Sequence, residues 1–258
     1  VNSLYLLKQL FFSIFFPISV LLLIKLTYSY SCYFLLIPIF ITLFLAYSFF
    51  QKRMREKHCF RKCYFKEDTF LANIITSPYL TLIFYIILCA IYTISIIYSV
   101  LSFKWYFYIF LPFFITFIFF VYNKLSLLLS NIIKEEHLEI FIKELTIKIS
   151  SLLLFIVFIF YILYSFEPNY LSNDLEESLK LATNSLSSNC KYLDYILRLK
   201  AELDTYFWYI TKYSSQIVEN SNSKIFIWVL FIFINALSII GINRFFVQII
   251  SFSKKIKE

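Results

Sequence analysis

Residues 225–243, IFIWVLFIFINALSIIGIN, run nineteen residues without a charge. A helix needs about 20 apolar residues to cross a hydrocarbon layer roughly 30 Å thick, so this run has the length of a membrane span. In lipid every backbone N–H and C=O must find its partner within the chain, and a lone run of this kind does so only as a helix. Five more runs have the same character, at about 9–27, 30–50, 79–101, 105–122 and 149–166. The chain therefore reads as all-α and polytopic, with about six transmembrane helices. Composition agrees: 60% of its residues are hydrophobic, above the roughly 45–50% of soluble domains. One Gly, five Pro and six Ala leave GC-rich codons scarce, which fits an AT-rich genome. No small-residue cleavage site follows the first run, so a removed signal peptide is not expected.

Charge sets the orientation. With the N-terminus inside, one side carries 16 Lys/Arg and 8 Asp/Glu, and the other carries 8 of each. Cytoplasmic loops are enriched in Lys and Arg, so both termini are expected on the cytoplasmic or matrix side of a bacterial or organellar inner membrane. The expected organisation is then a transmembrane hairpin over 1–50, a basic cytoplasmic connection over 51–78, and a second hairpin over 79–122. A cytoplasmic amphipathic helix over 123–148 follows, then a third hairpin over 149–243 with an outward loop at 167–224, and a basic tail over 244–258.

That outward loop is patterned as two helices. Pro168 stops the preceding helix, and Asn173 and Asp174 stand three residues before Glu176 and Glu177, a capping-box arrangement. NSLSSN at 184–189 breaks the chain. Beyond it Leu193, Ile196, Leu203, Phe207, Ile210 and Ile217 recur at spacings of three, four and seven, which places them on one stripe of a helix. Such a stripe packs on the first arm, lies on the membrane, or docks a partner. Two cysteines, Cys32 and Cys190, fall on this same side, so a disulfide between them is topologically allowed.

Chemistry is conspicuous by what the sequence lacks. All sixteen acidic residues lie outside the six runs, which argues against a proton- or cation-driven pathway carried by this chain alone. A single glycine, Gly241, excludes a GxSxG elbow, a Walker loop and a GxGxxG turn. HCFRKC at 58–63 offers no second ligand pair for zinc. No enzyme activity, cofactor, metal or nucleic-acid partner is expected. Lys52, Arg53, Arg55, Lys57, Arg61 and Lys62 form a basic cluster that serves as a topogenic signal or meets anionic lipid headgroups. Asn235, strongly polar inside a run, is a candidate interhelical hydrogen-bond former.

Two functions remain in view, with a third beside them. The first is a non-catalytic subunit of a membrane assembly, docking other membrane proteins through the outward helical hairpin and the cytoplasmic helix. The second rests on layout and on EDTFLANIITSP at 67–78, whose Thr69 and Pro78 stand before the third run. In these features the chain resembles ABC-2 type permeases, and the resemblance implies a separate cytoplasmic ATPase meeting residues 51–78. The family's Gly before that Thr is Asp68 here. The third is an oligomeric pore or immunity-type membrane protein.

Overall fold

Runs without charge or Gly have no reason to leave the helix, and few do. The computed structural model describes residues 3–64, 69–102, 104–164, 168–217 and 221–255, apart from side chains at 3, 4, 62, 63, 71, 72, 161–164, 214–217, 221, 224, 234 and 255. Among the described residues all regular structure is helical: α1 (Ser3–Thr27), a 3-10 turn (Cys32–Leu35), α2 (Leu36–Tyr64), α3 (Phe70–Ile75), α4 (Pro78–Ser102), α5 (Trp105–Leu129), α6 (Glu135–Tyr164), α7 (Leu175–Asn184), α8 (Lys191–Ile217) and α9 (Ser221–Lys255). Five stretches are long and apolar enough to cross a membrane: Tyr5–Thr27, Cys32–Arg61, Asn73–Ser102, Trp105–Leu129 and Ile225–Lys254. Residues 165–166 of the run 149–166 lie outside the described residues; its earlier part belongs to α6.

α9 is the central post. It packs on α1, α2, α4, α5, α6 and α8, and Phe245, Phe246, Val247, Ile249 and Ile250 on it are almost fully buried. The one glycine sits where α9 meets α4: a Cβ at Gly241 would lie 3.4 Å from Ile96 and from Tyr92. Small residues let helix backbones approach, and Gly241 serves this crossing of α9 and α4. α2 lies along α4, joined by a Thr42–Thr93 hydroxyl bond of 2.9 Å and by Phe49 stacked on Tyr85 and Tyr92. Many large apolar side chains on the perimeter remain exposed, among them Phe11, Phe15, Phe40, Ile83, Phe113 and Leu152. In an all-helical bundle of this composition such a surface belongs against lipid or protein rather than water.

Two connections differ from the sequence reading. The basic stretch after residue 50 is no loop, because α2 continues unbroken to Tyr64 and α3 follows. The helix expected over 123–148 is divided: residues up to Leu129 end α5, and α6 runs from Glu135 into the apolar run without a stop. Glu135 and Glu136 mark its start, where negative charge suits a helix N-terminus. No Gly or Pro separates its charged turns from its apolar ones, so nothing breaks it.

Candidate functional site

The two ends of the bundle are built from different chemistry. At one end a disulfide joins Cys32 to Cys190, with Cα atoms 4.8 Å apart, and ties the start of α8 to the turn between α1 and α2. Beside it Ser188 Oγ donates to the Tyr28 carbonyl at 2.7 Å, and Asn189 N–H donates to the Ser29 carbonyl. α7 starts where Asp174 accepts from the Glu176 N–H, and it folds against α8. Halfway along α8, Asp204 accepts from the hydroxyls of Tyr98 (3.0 Å) and Tyr170 (2.9 Å), with Lys200 over the Tyr98 ring. Burial and then the charge of Asp204 hold the Tyr170 hydroxyl well above its ordinary range, so it stays a donor. Trp208 meets Phe231 edge-on with ring centroids 4.7 Å apart, which fixes α8 against α9.

These contacts decide which side of α8 is inward. Leu193, Leu197, Ala201, Thr205, Trp208 and Thr211 are buried. Of the stripe read from sequence, Leu193 joins them, Ile196 and Phe207 are half-buried, and Leu203 and Ile210 are exposed. The side chain of Ile217 lies outside the described residues. The packing face is thus turned by about one residue, roughly 100° around the helix: Ala201, which packs with Tyr98 of α4 and with Leu186, and the buried Thr205 and Thr211 are small and carry little apolar signal. On the opposite side Tyr192, Tyr195, Leu199, Leu203, Tyr206 and Ile210 form an exposed stripe at spacings of three and four.

At the other end the helices are joined by charge. Arg244 of α9 makes a bidentate pair with Glu144 of α6, at 2.9 and 3.2 Å, and lies 3.8 Å over the Phe49 ring. Lys52 of α2 approaches the same carboxylate at 3.1 Å. Arg244 is 6% exposed. Burial works against the ionised Glu144 carboxyl, but the charges and hydrogen bonds of Arg244 and Lys52 outweigh it and hold the group below its ordinary range. Around this triad the polar interior continues: Asn243 Nδ2 donates to Ser151 Oγ, Ser251 Oγ donates to Glu139, and Ser13 and Ser253 share a hydroxyl bond. Three buried atoms here, Asn243 Oδ1, Arg244 Nε and Gln248 Oε1, have no hydrogen-bond partner among the described residues.

A cavity of about 790 Å³ opens between α2 and α6 beside the triad. On α2 its lining runs from Lys52 through Arg55, Glu56 and Phe60 to Tyr64, and on α6 from Lys148 through Leu145, Glu144, Phe141 and Ile140 to His137. The two helices meet across it through Lys52 and Glu144 and through the Arg55 guanidinium donating to the Glu136 carbonyl.

The basic cluster is therefore more engaged than its sequence suggests. Lys52 and Arg53 also pair with Glu56, and Lys57 Nζ donates to Thr81 Oγ1 at 2.6 Å. The Lys62 side chain lies outside the described residues. Asn235 donates to the Phe231 carbonyl of its own helix at 2.9 Å. The cross-helix amide contact expected of Asn235 is made instead by Asn243, two turns later. Sequence reasoning missed Glu144 and Arg244. Their signal was present as the one charge inside the otherwise neutral stretch 225–253 and as an acidic residue bordering the run at 149. Among the described residues no group of three or more His, Cys, Asp or Glu side chains is placed to hold a metal ion. No family model, curated protein or solved structure matches the chain.

Proposed function

We propose that the chain is a non-catalytic multi-pass subunit of a larger membrane assembly, and that it docks a helix of another membrane protein along α8. The observation that carries this reading is the exposed stripe Tyr192, Tyr195, Leu199, Leu203, Tyr206 and Ile210 on a helix held in place by a disulfide and a shared carboxylate. Its three-and-four spacing suits a second helix packing side by side, and tyrosines are favoured interface residues. In this reading α6 supplies the sixth span, and α7 and α8 form a hairpin on the extracytoplasmic side. Both termini and the basic end of the bundle face the cytoplasm or matrix. The Lys/Arg excess supports that orientation. So does the disulfide, since such bonds persist in oxidising compartments. The membrane is a bacterial cytoplasmic membrane or an organellar inner one.

The test is purification from the native membrane in mild detergent, comparing the wild type with a Leu199→Asp/Leu203→Asp variant. The wild type is expected to carry other membrane proteins in fixed stoichiometry. The variant keeps its Cys32–Cys190 bond and loses them. Unchanged companions in the variant, or a wild type that runs as a bare homo-oligomer, would refute the docking role.

A second reading is favoured by α3. This short helix lies between α2 and α4 in the stretch that resembles ABC-2 permeases, with Phe70, Ile74 and Ile75 exposed. A cytoplasmic ATPase seated there would make the chain a permease half. Co-purification of one ATPase, lost on Phe70→Asp and kept in the α8 variant, would favour it over the first.

A further inference from the structure

The cavity between α2 and α6 has features that docking along α8 neither uses nor requires. Lys52, Glu144 and Arg244 stand nine to twelve residues along their helices from Tyr64, Glu135 and Lys255, where α2 ends, α6 starts and α9 ends. At 1.5 Å per residue that is roughly 14–18 Å from the helix ends. Two cations and one carboxylate at that depth leave a positive charge in excess. Charges taken out of water are costly unless paired. Lys148 and Arg55, the latter also donating to the Glu136 carbonyl, add to the excess on the cavity wall, while Glu56, the remaining acid there, is shared between Arg53 at 2.8 Å and Lys52 at 4.0 Å.

The walls are otherwise apolar and graded. By position along the helices Lys52, Glu144 and Lys148 lie furthest from the helix ends, with Leu145 between the last two; Arg55 and Glu56 come next, and Phe60, Tyr64, Ile133 and the polar His137 lie nearest the ends. A phospholipid anchored in the adjacent leaflet has the opposite polarity, headgroup at the helix ends and chains within. A free amphiphile with one anionic group and one apolar tail fits, its anion going in first. The volume, about 790 Å³, falls within the roughly 300–1,000 Å³ of small-ligand sites.

We infer that this cavity is a binding site for a single-tailed amphipathic anion of the long-chain carboxylate class. The carboxylate sits against Lys52 and Lys148, and the tail lies along Ile140, Phe141 and Phe60. The inference stands apart from the docking reading and survives its failure.

Cys59 lines the cavity, is exposed and carries a free thiol, so it reports occupancy directly. The experiment places a Cys63→Ser protein in phosphatidylcholine nanodiscs and follows maleimide labelling of Cys59 with added palmitate. Palmitate is expected to slow labelling several-fold, and hexadecanol, the uncharged analogue, to leave it unchanged. Lys148→Glu, at an exposed position and with the fold verified by an unchanged thermal unfolding midpoint in detergent, is expected to weaken protection about tenfold or more, as loss of a charged hydrogen bond would. Equal protection by hexadecanol would show an apolar groove without anion recognition and overturn the inference. Protection by phosphatidylglycerol built into the nanodisc, in place of palmitate, would assign the cavity to a bilayer lipid and overturn it too. So would labelling that palmitate does not slow, or protection that Lys148→Glu leaves intact.

Discussion

The two ends of the bundle solve one problem, holding long apolar helices in register, by different means. At the disulfide end the fastening is covalent and by hydroxyls: Cys32–Cys190, Ser188 to Tyr28, and two tyrosines on Asp204. At the basic end it is ionic: Lys52, Glu144 and Arg244 draw three helices together. A staple limits the unfolded chain and is indifferent to pH. An ionic triad around the buried Arg244 is strong only while every member keeps its charge. The contrast teaches that the rigid end is suited to present a surface and the ionic end to respond to a ligand.

The largest expected effect falls on the ionic end. Glu144→Ala leaves Arg244 buried without its counter-charge, which costs about 3–5 kcal/mol when a buried pair is broken this way. Thermal unfolding in detergent should show it as a lowered midpoint, and Glu144→Gln should recover part of the loss. A shift no larger than that of an exposed control such as Glu136→Ala would remove the triad from the structure's supports.

Next comes the staple. Cys32→Ser/Cys190→Ser, or reduction, should cost about 2–5 kcal/mol. Hydrogen exchange should rise first in α7 and α8 and leave the α4–α9 contact protected. Uniform loss of protection would contradict the division into two independently fastened ends.

Gly241→Val tests the seam between them. Its Cβ would already stand 3.4 Å from Ile96 and Tyr92, and overpacking of a tight core costs about 1–3 kcal/mol. A variant as stable as the wild type would mean that α4 and α9 part easily.

The smallest effect is the pH dependence, and it has opposite signs at the two ends. Glu144 is held below its ordinary range, so its contribution is complete above that range and is lost as pH falls through the lowered value. Tyr170 is held above its ordinary range, so its contribution is complete below that range and is lost as pH rises through the raised value. Cysteine labelling or hydrogen exchange resolved by region should show acid loosening α6 and alkali loosening the 168–170 connection to α8. The same end yielding at both extremes would break the comparison.

Much of this was written in the sequence in terms of lengths. Charge-free runs of about 20 residues fix helices, and the Asp174 cap with the NSLSSN break marks where α7 and α8 begin and part. What periodicity does not carry is which face of α8 turns inward. That is decided by Ala201, Thr205 and Thr211, small residues that pack by fitting rather than by hydrophobicity, while the larger Tyr and Leu side chains stay outside. Nor does a run-by-run reading reveal the triad. Lys52, Glu144 and Arg244 each border a run at separate places in the chain, and only the packing of α2, α6 and α9 makes them one site. The pairing of Cys32 with Cys190 was open for the same reason, being a matter of distance across 158 residues.

The docking role of α8 is tested most directly by photo-crosslinking in the native membrane, with a benzophenone amino acid placed at Leu203 on the exposed stripe or at Leu197 on the buried one. A helix partner along the exposed stripe gives a discrete adduct with another membrane protein from position 203 and none from 197. No adduct from 203, or the same adduct from both, would mean that nothing docks there.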